Sequence, residues 1–172
     1  MSYGARVIVG VNGSLHSLTA LHRAAAEARA RGAVLVPVLA WTPVGGERNY
    51  RAQPCPPLLR VWEDAARTRL DRALEEAFGG LPIGVAVEPM VVRGQAGPVL
   101  TGLAERPGDL LVVSTGRQDG ARGRLRRLLP GSVTRHCLNR ARCGVLAVPP
   151  SGLLDDLRAL HRGIDLRELV AA

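Results

Sequence analysis

Short apolar runs that alternate with helical segments most constrain the fold of this chain. Five runs rich in valine and leucine have the length and composition of buried strands: 5–11, 34–40, 84–92, 109–114 and 144–150. Parallel neighbours need crossover connections, and these connections are right-handed. The pattern therefore predicts an α/β fold, a doubly wound five-stranded parallel sheet of order 3-2-1-4-5 with helices on both faces.

The segments between these strands carry helix and loop signals. Apolar residues recur at helical spacing, or helix-start residues occur, in four segments: about 18–31, 58–78, a short stretch with Pro98 in its first turn, and 132–141. Residues 41–57 are rich in glycine and proline without a period, which predicts a long loop. Pro37 inside the second strand predicts an imperfect hydrogen-bond ladder there.

Length and composition favour one domain. The chain has 172 residues, of which 47% are hydrophobic and only 3% aromatic, so aliphatic side chains must pack the core. We predict a domain over residues 1–150 and a helical tail over 151–172. Since the apolar runs are too short to span a bilayer and no signal-peptide order is present, we expect a cytoplasmic protein without a membrane partner.

The net charge of +8 comes from arginine, because the chain has no lysine. Residues 115–142 contain eight arginines and one aspartate: Arg117, Arg122, Arg124, Arg126, Arg127, Arg135, Arg140, Arg142 and Asp119. Such a segment attracts phosphate, nucleic acid or an acidic partner, unless it is only a solvated face. The few aromatic residues and the absence of a base-reading motif make nucleic acid the least favoured partner.

Catalytic and metal-binding motifs are weak. The chain has no GxSxG or HExxH motif, and no lysine follows its glycines as in a P-loop. Cys55, Cys137 and Cys143 show no CxxC spacing, which favours reduced structural thiols. His136 beside Cys137 is not a ready chelate, since adjacent helical residues point in different directions. We predict a protein that is not an enzyme.

The predicted strand order also predicts where a ligand binds. In such sheets the ligand crevice lies at the carboxyl ends of the strands where the order reverses, here between the first and fourth strands. The turn VNGS and the segment from Ser114 to Ser132 would line it. Gly131 allows close backbone approach and Ser132 caps the next helix, so free amides at a helix N-terminus would face an anion.

Four segments in order resemble the universal stress protein family: VIVGVNGSLHSLTAL, VVRGQAGPVL, DLLVVSTG and LLPGSVTRHCLNRARCGVLAVPP, within residues 5–150. The resemblance implies an adenine nucleotide alpha hydrolase-like domain that is commonly a homodimer, often with the last strand at the contact. It also implies that many members bind ATP through the motif G-x2-G-x9-G-[S/T].

This chain departs from the family's pattern at three positions, two of them in that motif. The spacing requires glycine at 118 and 121, which are Gln118 and Ala121, so that only Gly131 and Ser132 remain. Asn12 stands where the family usually has an acidic residue. Its amide has no charge with which to hold a metal ion, so a role for Mg²⁺ alongside ATP stays open.

Two functions follow from the resemblance and its departures. The first is a stress-response regulator that binds ATP or another adenine nucleotide without efficient catalysis. Its ligand would be framed by Val11, Asn12, Gly13, Ala40, Ser114, Thr115, Gly116, Arg124, Gly131, Ser132 and Val133. The alternative is a dimeric interaction module without nucleotide, in which the dimer and the loop over residues 41–57 offer surfaces to partner proteins. The two Gly-Ser pairs also have a plainer interpretation, in which they only turn the chain and cap helices.

Overall fold

A computed structural model describes residues 4–115 and 133–149. Along these residues the elements are β1 (Arg6–Gly10), α1 (Leu15–Arg31), β2 (Val34–Trp41), α2 (Gly46–Ala52), α3 (Pro56–Phe78), β3 (Met90–Arg93), α4 (Ala96–Leu103), β4 (Leu110–Ser114), α5 (Val133–Arg140) and β5 (Gly144–Val148). The predicted helical tail, residues 151–172, lies outside this part of the chain. Among residues 4–115 and 133–149, no helix is long and apolar enough to cross a membrane.

The strands form one parallel sheet of order β3-β2-β1-β4-β5. Helices α1 and α3 pack on one face of the sheet, and α4 and α5 pack on the other. This arrangement confirms the predicted doubly wound fold and its strand order. Because the order reverses between β1 and β4, the carboxyl end of the sheet opens between these two strands.

Alternating residues of the central strands supply two separate cores. Val7 and Val9 of β1 belong to the core beneath α1 and α3, whereas Ile8 belongs to the core beneath α4 and α5. All three side chains are fully buried. Since successive side chains of a strand point to opposite faces, a strand covered on both sides must be apolar at every position.

The third strand is shorter than predicted. The sequence predicts a strand over residues 84–92, but β3 is Met90–Arg93 and is preceded by only an isolated bridge to Leu35. Leu35 hydrogen-bonds through its backbone N–H and its carbonyl to the segment before β3. Pro37 lies two residues further along β2 and faces the same neighbour, but it has no N–H to donate. The missing N–H of Pro37 therefore interrupts the ladder between the bridge and β3.

The prediction of a long loop over residues 41–57 was wrong for α2. Gly45 and Gly46 adopt left-handed φ values of 80° and 86°, which reverse the chain at the start of this helix. Glu47 of α2 then accepts two hydrogen bonds from Arg93, at 2.8 and 2.7 Å. The Arg93 guanidinium also lies 4.7 Å from the centre of the Tyr50 ring. Local sequence could not show this helix, because its stabilising contact is distant in the chain.

A buried ion pair joins β1 and β4 at the amino end of the sheet. Arg6 donates to both carboxylate oxygens of Asp109, at 3.1 and 2.7 Å, and to the carbonyl of Leu103 at 2.9 Å. The backbone N–H of Arg106 also donates to Asp109 at 3.2 Å. The hydrogen bond to Asp109 raises the pKa of Arg6. Each charge is thus compensated, as a buried pair requires.

Replacing Asp109 should therefore destabilise the fold strongly. We expect Asp109→Ala to lower the free energy of unfolding by about 2 to 3 kcal/mol, because it leaves Arg6 without its charged partner. Urea unfolding followed by circular dichroism measures the loss. Glu63→Ala, which breaks an exposed i,i+4 pair with Arg67, is the control and should cost less than about 1 kcal/mol. Equal losses in the two variants would contradict the structural role of Asp109.

Cys137 is fully buried in the core beneath α4 and α5. Burial raises the pKa of its thiol to about 11, so the thiol stays protonated at neutral pH. The protonated thiol is a poor nucleophile. This environment agrees with the predicted structural role of the cysteine.

Native thiol labelling tests the burial of Cys137. We expect iodoacetamide at about pH 8 to leave Cys137 unmodified in the folded protein and to label it after unfolding. Cys55, which is partly exposed, serves as the internal control. Peptide mass mapping reads both sites, and equal native labelling rates would contradict the buried position.

Candidate functional site

A cleft of about 370 Å³ opens at the carboxyl end of the sheet, on the face covered by α4 and α5. Its walls come from the end of β2, the junction of β3 with α4, and the start of α5. The lining residues are Ala40, Trp41, Thr42, Gly94, Gln95, Ala96, Gly97, Pro98, Val133 and His136. The volume lies within the range of small-molecule sites.

Helix α4 begins at this cleft, and the described part of α5 starts beside it. Gln95 is the N-cap residue of α4, and its side chain makes no capping hydrogen bond. The first residues of α4 and the first described residue of α5, Val133, both line the cleft. The first amides of a helix lack intrahelical partners, and the helix dipole is positive at this end. The cleft therefore favours a ligand with a negative charge.

Gly97 allows α4 and α5 to approach closely beside the cleft. A Cβ atom at this position would lie 2.8 Å from Cγ and 2.9 Å from Cδ2 of His136. The ring of His136 therefore occupies the space that a side chain at position 97 would need. Gly94 turns the chain from β3 into α4 with a φ of 149°, a conformation that favours glycine.

The turn after β1 is stabilised by its own side chains. Asn12 is exposed, and its Oδ1 accepts a hydrogen bond from the backbone N–H of Ser14 at 3.0 Å. Gly13 adopts a φ of 78°. Ser14 is the N-cap of α1 and accepts from the N–H of Ser17 at 3.3 Å. The predicted turning and capping role of Gly13 and Ser14 is confirmed.

The end of β4 is tied to its two neighbours. The carbonyl of Ser114 accepts a hydrogen bond from the Thr134 hydroxyl at 3.1 Å, which joins β4 to α5. Thr115 donates its backbone N–H and its hydroxyl to the carbonyl of Val148, at 2.8 and 3.2 Å. These contacts hold the start of α5 beside the end of the sheet.

The structure brings only some of the predicted site residues into the cleft. Ala40 and Val133 line it, whereas five other described residues do not: Val11, Asn12, Gly13, Ser114 and Thr115. The remaining four lie outside the described residues: Gly116, Arg124, Gly131 and Ser132. The ligand roles of all these residues stay predictions.

Several lining residues were missed by sequence analysis. No sequence pattern pointed to four of them as site residues. Three carry polar groups, Thr42, Gln95 and His136, and the fourth, Gly97, makes the close contact with His136. The segment RGQAG held the available signal: two glycines between the third strand and a helix start, at the same end of the sheet as the predicted crevice. His136 is recognisable only after α4 and α5 are packed together.

The described lining contains neither a carboxylate nor a lysine or arginine. Near its edge, Arg93 precedes Gly94 and pairs with Glu47, and this hydrogen bond lowers the pKa of the Glu47 carboxyl. No group of three side chains suited to a metal ion occurs among residues 4–115 and 133–149. The described lining thus offers Mg²⁺ no charged ligand.

Substituting Gly97 tests the contact between α4 and α5. We expect Gly97→Ala to lower the free energy of unfolding by about 1 to 3 kcal/mol, because the new methyl group displaces the ring of His136. Gly102→Ala in the same helix is the control. A Cβ atom there meets no atom within 4 Å, so this change should stabilise α4 by about 0.5 to 1 kcal/mol. Thermal unfolding measures both, and stabilisation by Gly97→Ala would contradict the contact.

Comparison with solved structures supports the fold. A universal stress protein crystallised in complex with cAMP is 28% identical, with a TM-score of 0.53, and the match covers 87% of this chain and 100% of that one. The protein MJ0577 is 18% identical, with a TM-score of 0.63 and coverage of 86% and 97%. UspA from Lactobacillus plantarum is 16% identical, with a TM-score of 0.57 and coverage of 86% and 99%. The last two show the fold alone.

No curated protein matches the chain. The model of the Universal stress protein family, however, matches residues 5–149, almost the same range over which the sequence motifs resemble the family. The matched range includes every described strand and helix as well as the cleft. The chain belongs to the universal stress protein family.

Proposed function

We propose that this protein is a stress-response regulator that binds an adenine nucleotide in the cleft between β2, α4 and α5, without efficient catalysis. One observation carries the proposal: the N-terminus of α4 and the first described residues of α5 meet in a single cleft of about 370 Å³ at the carboxyl end of the sheet. A neighbour of the same fold, 28% identical, was crystallised with cAMP. This supports a ligand that combines adenine with phosphate.

The two sides of the cleft suit the two parts of a nucleotide. Ala40 and Trp41 at the end of β2 offer an apolar wall for the base, and Thr42 adds a hydroxyl at its edge. The starts of α4 and α5 offer amides to the phosphate. We extend the phosphate site to Gly131 and Ser132, with Gly116 and Arg124 as further contacts. Val11, Asn12 and Gly13, with Ser114 and Thr115, would close the side toward β1 and β4.

The chemistry of the described lining supports binding rather than turnover. Hydrolysis of a phosphate ester needs groups that activate water and stabilise the leaving group. His136 is the one titratable side chain among the described lining residues. Cys137, the next residue of α5, keeps its proton because burial raises the pKa of its thiol to about 11. ATP is the ligand that we propose, with Mg²⁺ held by its phosphates when present.

We also propose that the protein is a homodimer. β5 lies at one edge of the sheet, and within the described part of the chain no strand pairs with its outer side. Val145, Leu146 and Ala147 of this strand are only partly buried. An open, apolar edge strand is suited to pairing with a second copy.

Calorimetric titration tests the proposed function. We expect ATP and cAMP to give saturable heats, and Ala40→Phe to weaken both affinities at least about tenfold by filling the cleft. Ala30→Phe is the control, since Ala30 is exposed on α1 at the other face of the sheet. Native mass spectrometry would show whether nucleotide copurifies. No heat with either ligand at about 1 mM, with or without Mg²⁺, would contradict nucleotide binding.

A further inference from the structure

We propose that His136 contacts the anionic group of the bound ligand and makes binding sensitive to pH, so that acidification strengthens it. The inference rests on the proposed function and adds a regulatory property to the same cleft. Histidine is the side chain whose charge ordinarily changes between about pH 5 and 8. A histidine that contacts a phosphate therefore couples ligand affinity to proton concentration.

The position of His136 carries the inference. It lies in the first turn of α5 and lines the cleft opposite the start of α4. Its Cβ, Cγ and Cδ2 atoms pack against Gly97, within 2.8 to 3.0 Å of where a Cβ atom there would stand. Within the described part of the chain, the ring nitrogens of this partly buried residue have no hydrogen-bond partner. The ring is thus held through carbon contacts, and its nitrogens remain available to a ligand.

The charged and titratable groups around His136 keep their charge state over the same pH range. β2 and α4 contain no charged or titratable side chain. On α5 itself, Arg135 and Arg140 stay cationic, and burial raises the pKa of Cys137 to about 11. Burial also raises the pKa of Cys143, before β5.

At the end of β3, Arg93 is paired with Glu47, which lowers the pKa of that carboxyl. Both members of this pair therefore keep their charges between about pH 5.5 and 8. Among the described lining residues, His136 is the one histidine, the residue type whose charge ordinarily changes in this interval.

The helix termini strengthen the coupling between proton and ligand. A cation near the start of a helix is disfavoured by the positive end of the dipole. An anion bound at the same place offsets this repulsion and favours the protonated ring. By linkage, protonation of His136 must then strengthen anion binding by the same factor.

The test uses cAMP, whose phosphodiester keeps a single negative charge across the range, unlike the terminal phosphate of AMP or ATP. For the unmodified chain we expect the Kd of cAMP to fall about fivefold to tenfold from about pH 8 to about pH 5.5. Adenosine, which has no phosphate, should show no such change. Calorimetry at each pH gives both constants.

Variants assign the effect to one residue. We expect His136→Gln to bind cAMP at about the pH 8 affinity of the unmodified chain throughout, and His136→Lys to bind with little pH dependence. His22→Gln is the matched control: His22 lies on α1, with its ring 5.0 Å from that of Phe78 on the other face of the sheet. It should retain the full dependence. NMR titration of the unmodified chain adds a readout that needs no variant: cAMP should move the protonation of His136 to higher pH.

The outcomes separate this inference from the proposed function. If cAMP binds with a pH-independent Kd, or if His136→Gln retains the pH dependence, the inference about His136 is overturned while nucleotide binding stands. If neither ATP nor cAMP binds at any pH, both are overturned. An unchanged His136 titration in the presence of saturating cAMP would also overturn the inference, even if a variant failed to fold.

Discussion

Burial of the centre of β1 on both faces is the constraint on which the rest of the structure depends. This strand pairs with β2 on one edge and β4 on the other, and its central residues Val7, Ile8 and Val9 are fully buried. Both faces of the sheet must therefore be covered by helices, and the crossover connections supply them. The exposed turns then collect at the two ends of the strands. One of these ends is closed by a structural ion pair, and the other holds the cleft.

The cleft exists because small residues let α4 approach its neighbours closely. A Cβ atom at Gly10 would lie 2.9 Å from Cδ1 of Leu100, and one at Gly97 would lie 2.8 Å from the ring of His136. The first glycine brings α4 down onto β1, and the second brings it against α5. Together they place both helix N-termini at the same opening. Tight packing on one side of α4 thus creates the anion-favouring environment at its end.

The two ends of the sheet differ in how their polar groups are used. At the amino end, the carboxylate of Asp109 accepts from Arg6 and from the backbone of Arg106, so its hydrogen-bonding capacity is largely occupied. At the carboxyl end, Gln95 makes no capping bond, and His136 packs through its carbon atoms. The first arrangement stabilises the fold, whereas the second leaves polar groups for a ligand. This division is expected in an open α/β sheet.

The sequence by itself predicted the fold class and the strand order correctly. It could do so because strand periodicity and the handedness of crossovers are local rules that leave few topologies. Family membership followed from the same motifs. That a ligand binds at the carboxyl end of the sheet stays a prediction. Ala40 and Val133, two of the predicted nucleotide contacts, line the cleft, and their ligand roles stay predictions. The helix α2 was not foreseen, since it depends on Arg93, far along the chain. An imperfect ladder at Pro37 was predicted, but not that it would shorten β3, because the sequence did not show which strand segment lies opposite this proline.

Only the tertiary structure decided which side chains face one another in the cleft. Gln95 and Gly97 lie about forty residues before His136 in the sequence. No local pattern specifies how far these side chains are from one another in the folded protein. The approach of α4 to α5 depends on the volume of the side chains between them, which is a property of the packed core. For that reason His136 looked like an ordinary helical residue in the sequence, and became a candidate ligand contact only beside Gly97.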